Sequence, residues 1–347
     1  MRGSLKIGRI AGISVEIHYT WLLIFGLVTY FLGTSMSGKA SSEIVVWVVA
    51  VATSLVFFGS VLAHELSHSL VANAYTDDMV RRITLFAFGG VAHLKDEPPS
   101  GKAELWVAVA GPGMSLALAA VFGGIVVLLR LAPASLDIIR SAFLYLSAIN
   151  VLLAIFNMIP AFPLDGGRVL RALIWIGTGQ FDRATQIAAG AGQVFAWLFM
   201  AFGVFQILQG PGNWFSGLWI LAIGWMLSSA AQGSLRRLSI ERALSGVQVG
   251  QIMTTPAVSA GADWSVQRLV YEVILPQRIR EVPITWAGQV QGVVNATDVQ
   301  QVPQQNWPTM SVTQVMSPLS DDRIIPPQEP ATKALKVVGA GHGRAYV

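Results

Sequence analysis

Three side chains in an apolar run could do chemistry together. In SVLAHELSHSLVANAY, residues 60–75, His64, Glu65 and His68 spell H-E-x-x-H. On a helix, residues four apart lie about one turn apart on one face, so both imidazoles can reach one ion at about 2.0–2.1 Å. Glu65 points off that axis but stays near a metal-bound water, which is the arrangement of a zinc hydrolase with glutamate as general base. The run is apolar enough to lie in a membrane. Ionisable groups there are expensive, about 2.5–3.5 kcal/mol for Asp on insertion scales, and they mark function. A divalent cation is a partner that compensates them.

The elements that must position these groups are long apolar segments. The chain has 347 residues, of which 53% are hydrophobic, well above an ordinary soluble domain. A spanning helix needs about 20 apolar residues. Six candidate spans lie near 14–33, 44–75, 104–130, 141–162, 186–208 and 216–232. The first apolar run is long and lacks a small-residue cleavage site, so no cleavable signal peptide is expected. Arg2, Lys6 and Arg9 precede the first span. With that end cytoplasmic, six spans return the C-terminus to the cytoplasm and leave most Lys and Arg inside, including Arg81, Arg82, Arg168, Arg171, Arg236 and Arg237. Basic residues at span ends and a net charge of only +4 fit membrane orientation and argue against nucleic-acid binding. Between the second and third spans, VRRITLFAFGGVAHLKDEPPSG alternates β-branched and aromatic residues around Gly89-Gly90, which predicts a membrane-associated β-hairpin at about 82–94.

The absence of cysteine excludes disulfides and thiolate ligands, so a metal must be held by His and carboxylate. Catalytic zinc takes three protein ligands and keeps an open position. The candidates for a third ligand are His18, His93, His342 and Asp165. Depth favours Asp165, because the second and fourth spans both run inward and bring His64, His68 and Asp165 to one level. Pro160 and Pro163 interrupt regular helix there, and Gly166-Gly167 permit close backbone approach.

HELSH followed by NMIPAFPLDGGR, residues 157–168, resembles the site-2 protease family of intramembrane zinc metalloproteases. The match runs through Asn157, Pro160, Pro163, Leu164, Asp165, Gly166, Gly167 and Arg168, and TLFAFGGVAHL and AVAGPGMSLALA (108–119) are also similar to that family. The resemblance covers roughly residues 10–230. It implies His64, His68 and Asp165 as ligands of one Zn2+, Glu65 as catalytic base and Asn157 as a substrate-binding residue. It also implies a membrane-protein substrate, with sigma factors, anti-sigma factors and signal-peptide remnants all open, and regulated intramembrane proteolysis as the function.

Composition changes at residues 233–246, which read as a polar amphipathic linker between a transmembrane domain, 1–232, and a soluble α/β region, 247–347. In that region QIMTTP and QVMSP open two similar units with a period of about 63 residues, as expected for paired modules. VPITWAGQVQGVVNATDV resembles the closing strand–turn–strand of a cystathionine-β-synthase (CBS) module. The resemblance implies a CBS pair, with modules at 247–303 and 308–347, the second stopping before its closing strand and helix. It also implies ATP or another adenine nucleotide near Asp298 and a homodimer through the pair, although Asn295 stands where Ser or Thr is more common. Site-2 proteases with such a pair resemble the sporulation protease that processes a pro-sigma factor.

The expectation is therefore a polytopic α-helical membrane protein with about six transmembrane helices, a membrane-associated β-hairpin and a C-terminal α/β CBS pair. It is multi-pass in the cell membrane, with both termini cytoplasmic and its partners the lipid bilayer and a membrane substrate. The competing readings are a CBS-gated transporter or channel using the His/Asp cluster as an ion site, and an inactive homologue acting as a scaffold.

Overall fold

Apolar runs in the first two thirds of the chain become long helices because a backbone in lipid must satisfy its hydrogen bonds within its own segment. The computed structural model describes all residues except 1, 2, 41, 78, 88, 95, 96, 132, 134, 135, 211, 321, 322, 339–345 and 347, and within its strands and helices the side chains of 93, 94 and 336 are also outside the description. The chain divides into two compact units, Met1–Arg237 and Leu238–Val347.

The first unit opens with β1 (Ser4–Ile10) and β2 (Ile13–His18), followed by α1 (Thr20–Met36) and α2 (Glu43–Tyr75). Next come β3 (Val80–Phe86), β4 (Gly89–Leu94), α3 (Gly101–Leu129), α4 (Asp137–Asn157), α5 (Asp165–Thr178), α6 (Phe181–Leu208) and α7 (Trp214–Ala243), whose residues from Leu238 onward belong to the second unit. Among the described residues, five helices are long and apolar enough to cross a membrane: α2, α3, α4, α6 and α7. The segment expected to span first is shorter as a helix than its apolar run, because residues 13–18 are a strand and α1 keeps 17 residues. Where a linker was expected at 233–246, α7 continues without a break to Ala243.

The predicted hairpin forms as antiparallel β3–β4 and belongs to a four-stranded sheet of order β1-β2-β3-β4. The N-terminal hairpin was not expected. Its turn, Ala11-Gly12, has positive φ at both residues, 49° and 81°, as a two-residue hairpin of the right-handed twist requires. Alternation in SLKIGRI and ISVEIH around a glycine was the available signal. Asn73, near the end of α2, ties the sheet to that helix. Its amide donates to Val80 O at 3.1 Å, and its Oδ1 accepts from Val80 N at 2.7 Å. One helix thus carries H-E-x-x-H and anchors the strands beside it.

The second unit has a three-stranded sheet, β5 (Ala260–Gly261), β6 (Glu281–Trp286) and β7 (Gln289–Asn295), with β5 parallel and β7 antiparallel to β6. Its core is aliphatic: Val266, Leu269, Val282, Ile284 and Val294 are all buried in one cluster. Two exchanges relate the unit's halves. Ser265, at the N-cap of the helix Val266–Leu269, bridges to Ser311, and Gln248 bridges to Pro330, at the N-cap of the helix Ala331–Val337. Ile324 pairs in parallel with Tyr346, as β5 pairs with β6.

Candidate active site and metal centre

His64 and His68 project from one face of α2, four residues apart, and both are buried. Asp165 stands in the first turn of α5, where a carboxylate also suits the helix dipole. The loop before it is held by backbone bonds from Leu164 N to Ala161 O and from Phe162 N to Ala188 O on α6. Close packing requires its glycines. A Cβ at Gly166 would strike the carbonyls of Met158 and Ile159, and one at Gly167 the backbone of Ala161 and Phe162.

The three side chains expected as ligands meet. Both His64 Nε2 and His68 Nε2 lie 3.1 Å from Asp165 Oδ2, and the two nitrogens are 3.2 Å apart. Among the described residues these three form a group able to hold a metal ion. The donor set fits zinc. A tetrahedral ion with bonds of about 2.0–2.1 Å separates its ligand atoms by about 3.3–3.4 Å, close to the edges of this triangle. Three electron-rich atoms facing one another repel unless a proton or a cation lies among them. Burial disfavours the Asp165 anion, yet its pairing with the two imidazoles outweighs that and holds the carboxyl well below the usual carboxylate range. It is therefore ionised at neutral pH, as a ligand must be.

α3 supports both rings from behind. His68 Nδ1 donates to Val107 O at 2.6 Å, which leaves the Nε2 lone pair of the neutral ring for a metal. His64 Nδ1 is 2.9 Å from Ser115 Oγ. Between these supports, Gly111 lets α3 approach so closely that a Cβ there would collide with both His68 and His64.

The ligand triangle lines a cavity of about 580 Å³ that also exposes Glu65, Asn157, Arg168 and residues 89–92 of β4. A Cβ at Gly90 would strike the Glu65 side chain, so β4 lies directly against the acid of the motif. Asn157 is the last residue of α4, where its amide donates to Leu153 O at 3.0 Å. His18 is not part of the cluster, since its Nδ1 contacts Thr20 Oγ1 at 2.9 Å. The side chain of His93 and all of His342 lie outside the described residues. Asp298 belongs to the second unit, where its Oδ2 accepts from Asn295 Nδ2 at 3.4 Å. The sequence reading did not single out Val107, Ser115 or Glu104, and it took Arg171 only as a basic residue on the cytoplasmic side. Polar residues recurring at helical spacing in an apolar run were the signal for Glu104 and Ser115, whereas a carbonyl donated by Val107 leaves none.

Comparison with known proteins shows the family. Residues 52–132 and 122–199 match the profile of Peptidase family M50. Rip3 of Mycobacterium tuberculosis, provisionally named as a zinc metalloprotease, is 34% identical over 97% of this chain and 85% of its own length. The chain belongs to the M50, or site-2 protease, family. Other M50 relatives include sll0528 of Synechocystis, with the same provisional name, 34% identical over 91% of this chain and 82% of its own. The zinc metalloprotease MJ0392 of Methanocaldococcus jannaschii is 28% identical over 86% and 80%. A solved site-2 protease from Methanocaldococcus jannaschii aligns over 67% of this chain and 94% of its own with a TM-score of 0.45 and 28% identity. This M50 protein is a zinc metalloprotease and a multi-pass membrane protein. That family is one of proteases, not of transporters.

Proposed function

We propose that the protein hydrolyses a peptide bond in or near a transmembrane segment of another membrane protein, with His64, His68 and Asp165 holding the zinc. The observation that carries this reading is the convergence of those three ligand atoms in the wall of the cavity that Glu65 and Asn157 also line. Zinc bound there would polarise the scissile carbonyl and acidify a water. Glu65 takes the proton of the attacking water and delivers it to the leaving amine. Asn157 donates a hydrogen bond from its amide to the substrate backbone or to the developing oxyanion. A helix hides its carbonyls in internal hydrogen bonds, so the substrate must be unwound before it can react. β4 is the last strand of its sheet and lines the cavity with Gly89, Gly90, Val91 and Ala92. Its outer edge is suited to receive an extended substrate strand by backbone pairing.

The test joins metal analysis with a cleavage assay. Glu65→Gln is expected to keep one zinc per chain and to lose cleavage by about 10²–10⁴-fold. Asp165→Ala is expected to lose the zinc itself. Full cleavage by metal-free protein, or an active Glu65→Gln, would overturn the reading.

For the second unit, we infer a CBS pair that senses an adenine nucleotide near Asp298 and joins two copies of the chain. The exchanged bridges between the two halves, and the parallel pairing of Ile324 with Tyr346 that repeats β5 against β6, support this reading. Calorimetric titration of the full chain with ATP, with and without Asp298→Ala, tests it. Equal heats from both proteins would count against Asp298. Both termini are read as cytoplasmic, and because the chain has no cysteine, single introduced cysteines near residues 8 and 245 would report their side by reagent access.

A further inference from the structure

α5 places Asp165, and something must place α5. Arg171 lies six residues beyond Asp165 on that helix, about 9 Å along its axis. Its guanidinium is buried, 6% exposed, and meets Glu104 of α3, which is fully buried. Arg171 Nε donates to Glu104 Oε1 at 2.7 Å, and Nη2 contacts the same oxygen. The guanidinium carbon also sits 5.0 Å from the Phe162 ring centroid and 4.8 Å from that of Phe181. Phe162 belongs to the loop that delivers Asp165, and Phe181 opens α6. Nη2 also reaches the half-exposed Glu97 Oε2 at 3.4 Å, a second, more exposed partner. One buried cation therefore ties the loop before Asp165, the helix that carries it and the start of the next helix to Glu104 of α3.

That residue occupies a telling place. Glu104, Val107, Gly111 and Ser115 follow one another at steps of three, four and four, within about 80° of arc on α3. Val107 and Ser115 hold the two histidines, and Gly111 backs them. The same stripe that orients both imidazoles therefore also grips the element bearing the third ligand. Glu104 Oε2 has no hydrogen-bond partner among the described residues, so the pair is not fully satisfied. A buried ion pair of this kind is weak evidence for stability, since apolar replacements of similar volume are often neutral or stabilising. Its location points to a different use.

We propose that Glu104 and Arg171 are positioning residues that set Asp165 at ligand distance from His64 and His68. The inference rests on the zinc reading of that triangle.

The experiment uses the full chain in detergent, stripped of metal and titrated with zinc against a chromophoric chelator, beside its thermal midpoint. Glu104→Met with Arg171→Met in one protein removes both charges and keeps the volume. It is expected to retain the midpoint while binding zinc about 10–100-fold more weakly, the usual cost of losing a group that orients a ligand. Arg171→Lys keeps the charge but gives up the planar fork, and is expected to fall between the two. Wild-type zinc affinity in the double variant overturns the proposal. So does a series in which zinc is lost only in step with the midpoint, because the pair would then be merely structural. A wild-type chain that binds no zinc would instead remove the reading of the site itself.

Discussion

Both units bury aliphatic side chains, but the first buries many polar ones among them and the second few. In the first, the interior between helices holds His64, His68, Glu104, Arg171, Ser115, Thr29 and Ser54. Most of these have a partner on another helix: Thr29 Oγ1 donates to Ser54 Oγ at 2.9 Å, His64 meets Ser115, and Arg171 meets Glu104. In the second, the centre is Val266, Leu269, Val282, Ile284 and Val294, and the buried acid Glu281 is answered by Arg323 at 2.6 Å. The difference is what solvent would produce with the first unit in lipid and the second in water. Lipid tails are as apolar as leucine, so helices in a bilayer gain little by hiding aliphatic surface from it and are held by packing and polar contacts. A domain in water gains by burying aliphatic area. The membrane unit can therefore concentrate its specificity in polar contacts, and the same contacts build its site.

Four substitutions, with Gly113→Ala as a control for the first, test that contrast. The largest effect is expected at Gly111→Ala, whose Cβ would collide with both imidazoles. Zinc affinity should fall by at least about 100-fold, whereas Gly113→Ala, with open space around it, should bind zinc normally. Next is Ile284→Ala in the second unit, expected to cost about 2–5 kcal/mol of that unit's stability in denaturant unfolding. Zinc content should stay at wild type, and a loss of zinc would blur the division between the units. Ser115→Ala leaves His64 Nδ1 without its oriented partner, and chelator competition should show zinc affinity lowered by about 10–100-fold. The smallest is Thr29→Val, which removes one buried hydrogen bond between membrane helices at a cost near 0.6 kcal/mol. A cost there as large as that of Ile284→Ala would contradict the contrast.

Much of the site could be read before the fold. H-E-x-x-H reports its own geometry because helix spacing alone puts His64 and His68 on one face. Asp165 could be reached by depth, since two spans running the same way end at the same level. Glu104 was harder to see: it was counted into an apolar run, and nothing local says that its partner is Arg171, 67 residues away. The first span was overextended because strand β2 and helix α1 are both apolar, and period alone does not separate a short strand from the start of a helix. The N-terminal hairpin escaped for a related reason, its turn resting on a single glycine beside Ala11.

By itself the sequence determined the chemistry: which side chains can bind a divalent ion, that no thiolate competes, and that long segments must be helical because lipid offers a backbone no other partner. Tertiary structure alone decided the distances. The approach of Asp165 to two imidazoles, the support of those rings by Val107 and Ser115, and the grip of Glu104 on Arg171 join residues far apart in the chain. Such contacts depend on how helices pack, and packing is a property of whole surfaces that no local spacing encodes.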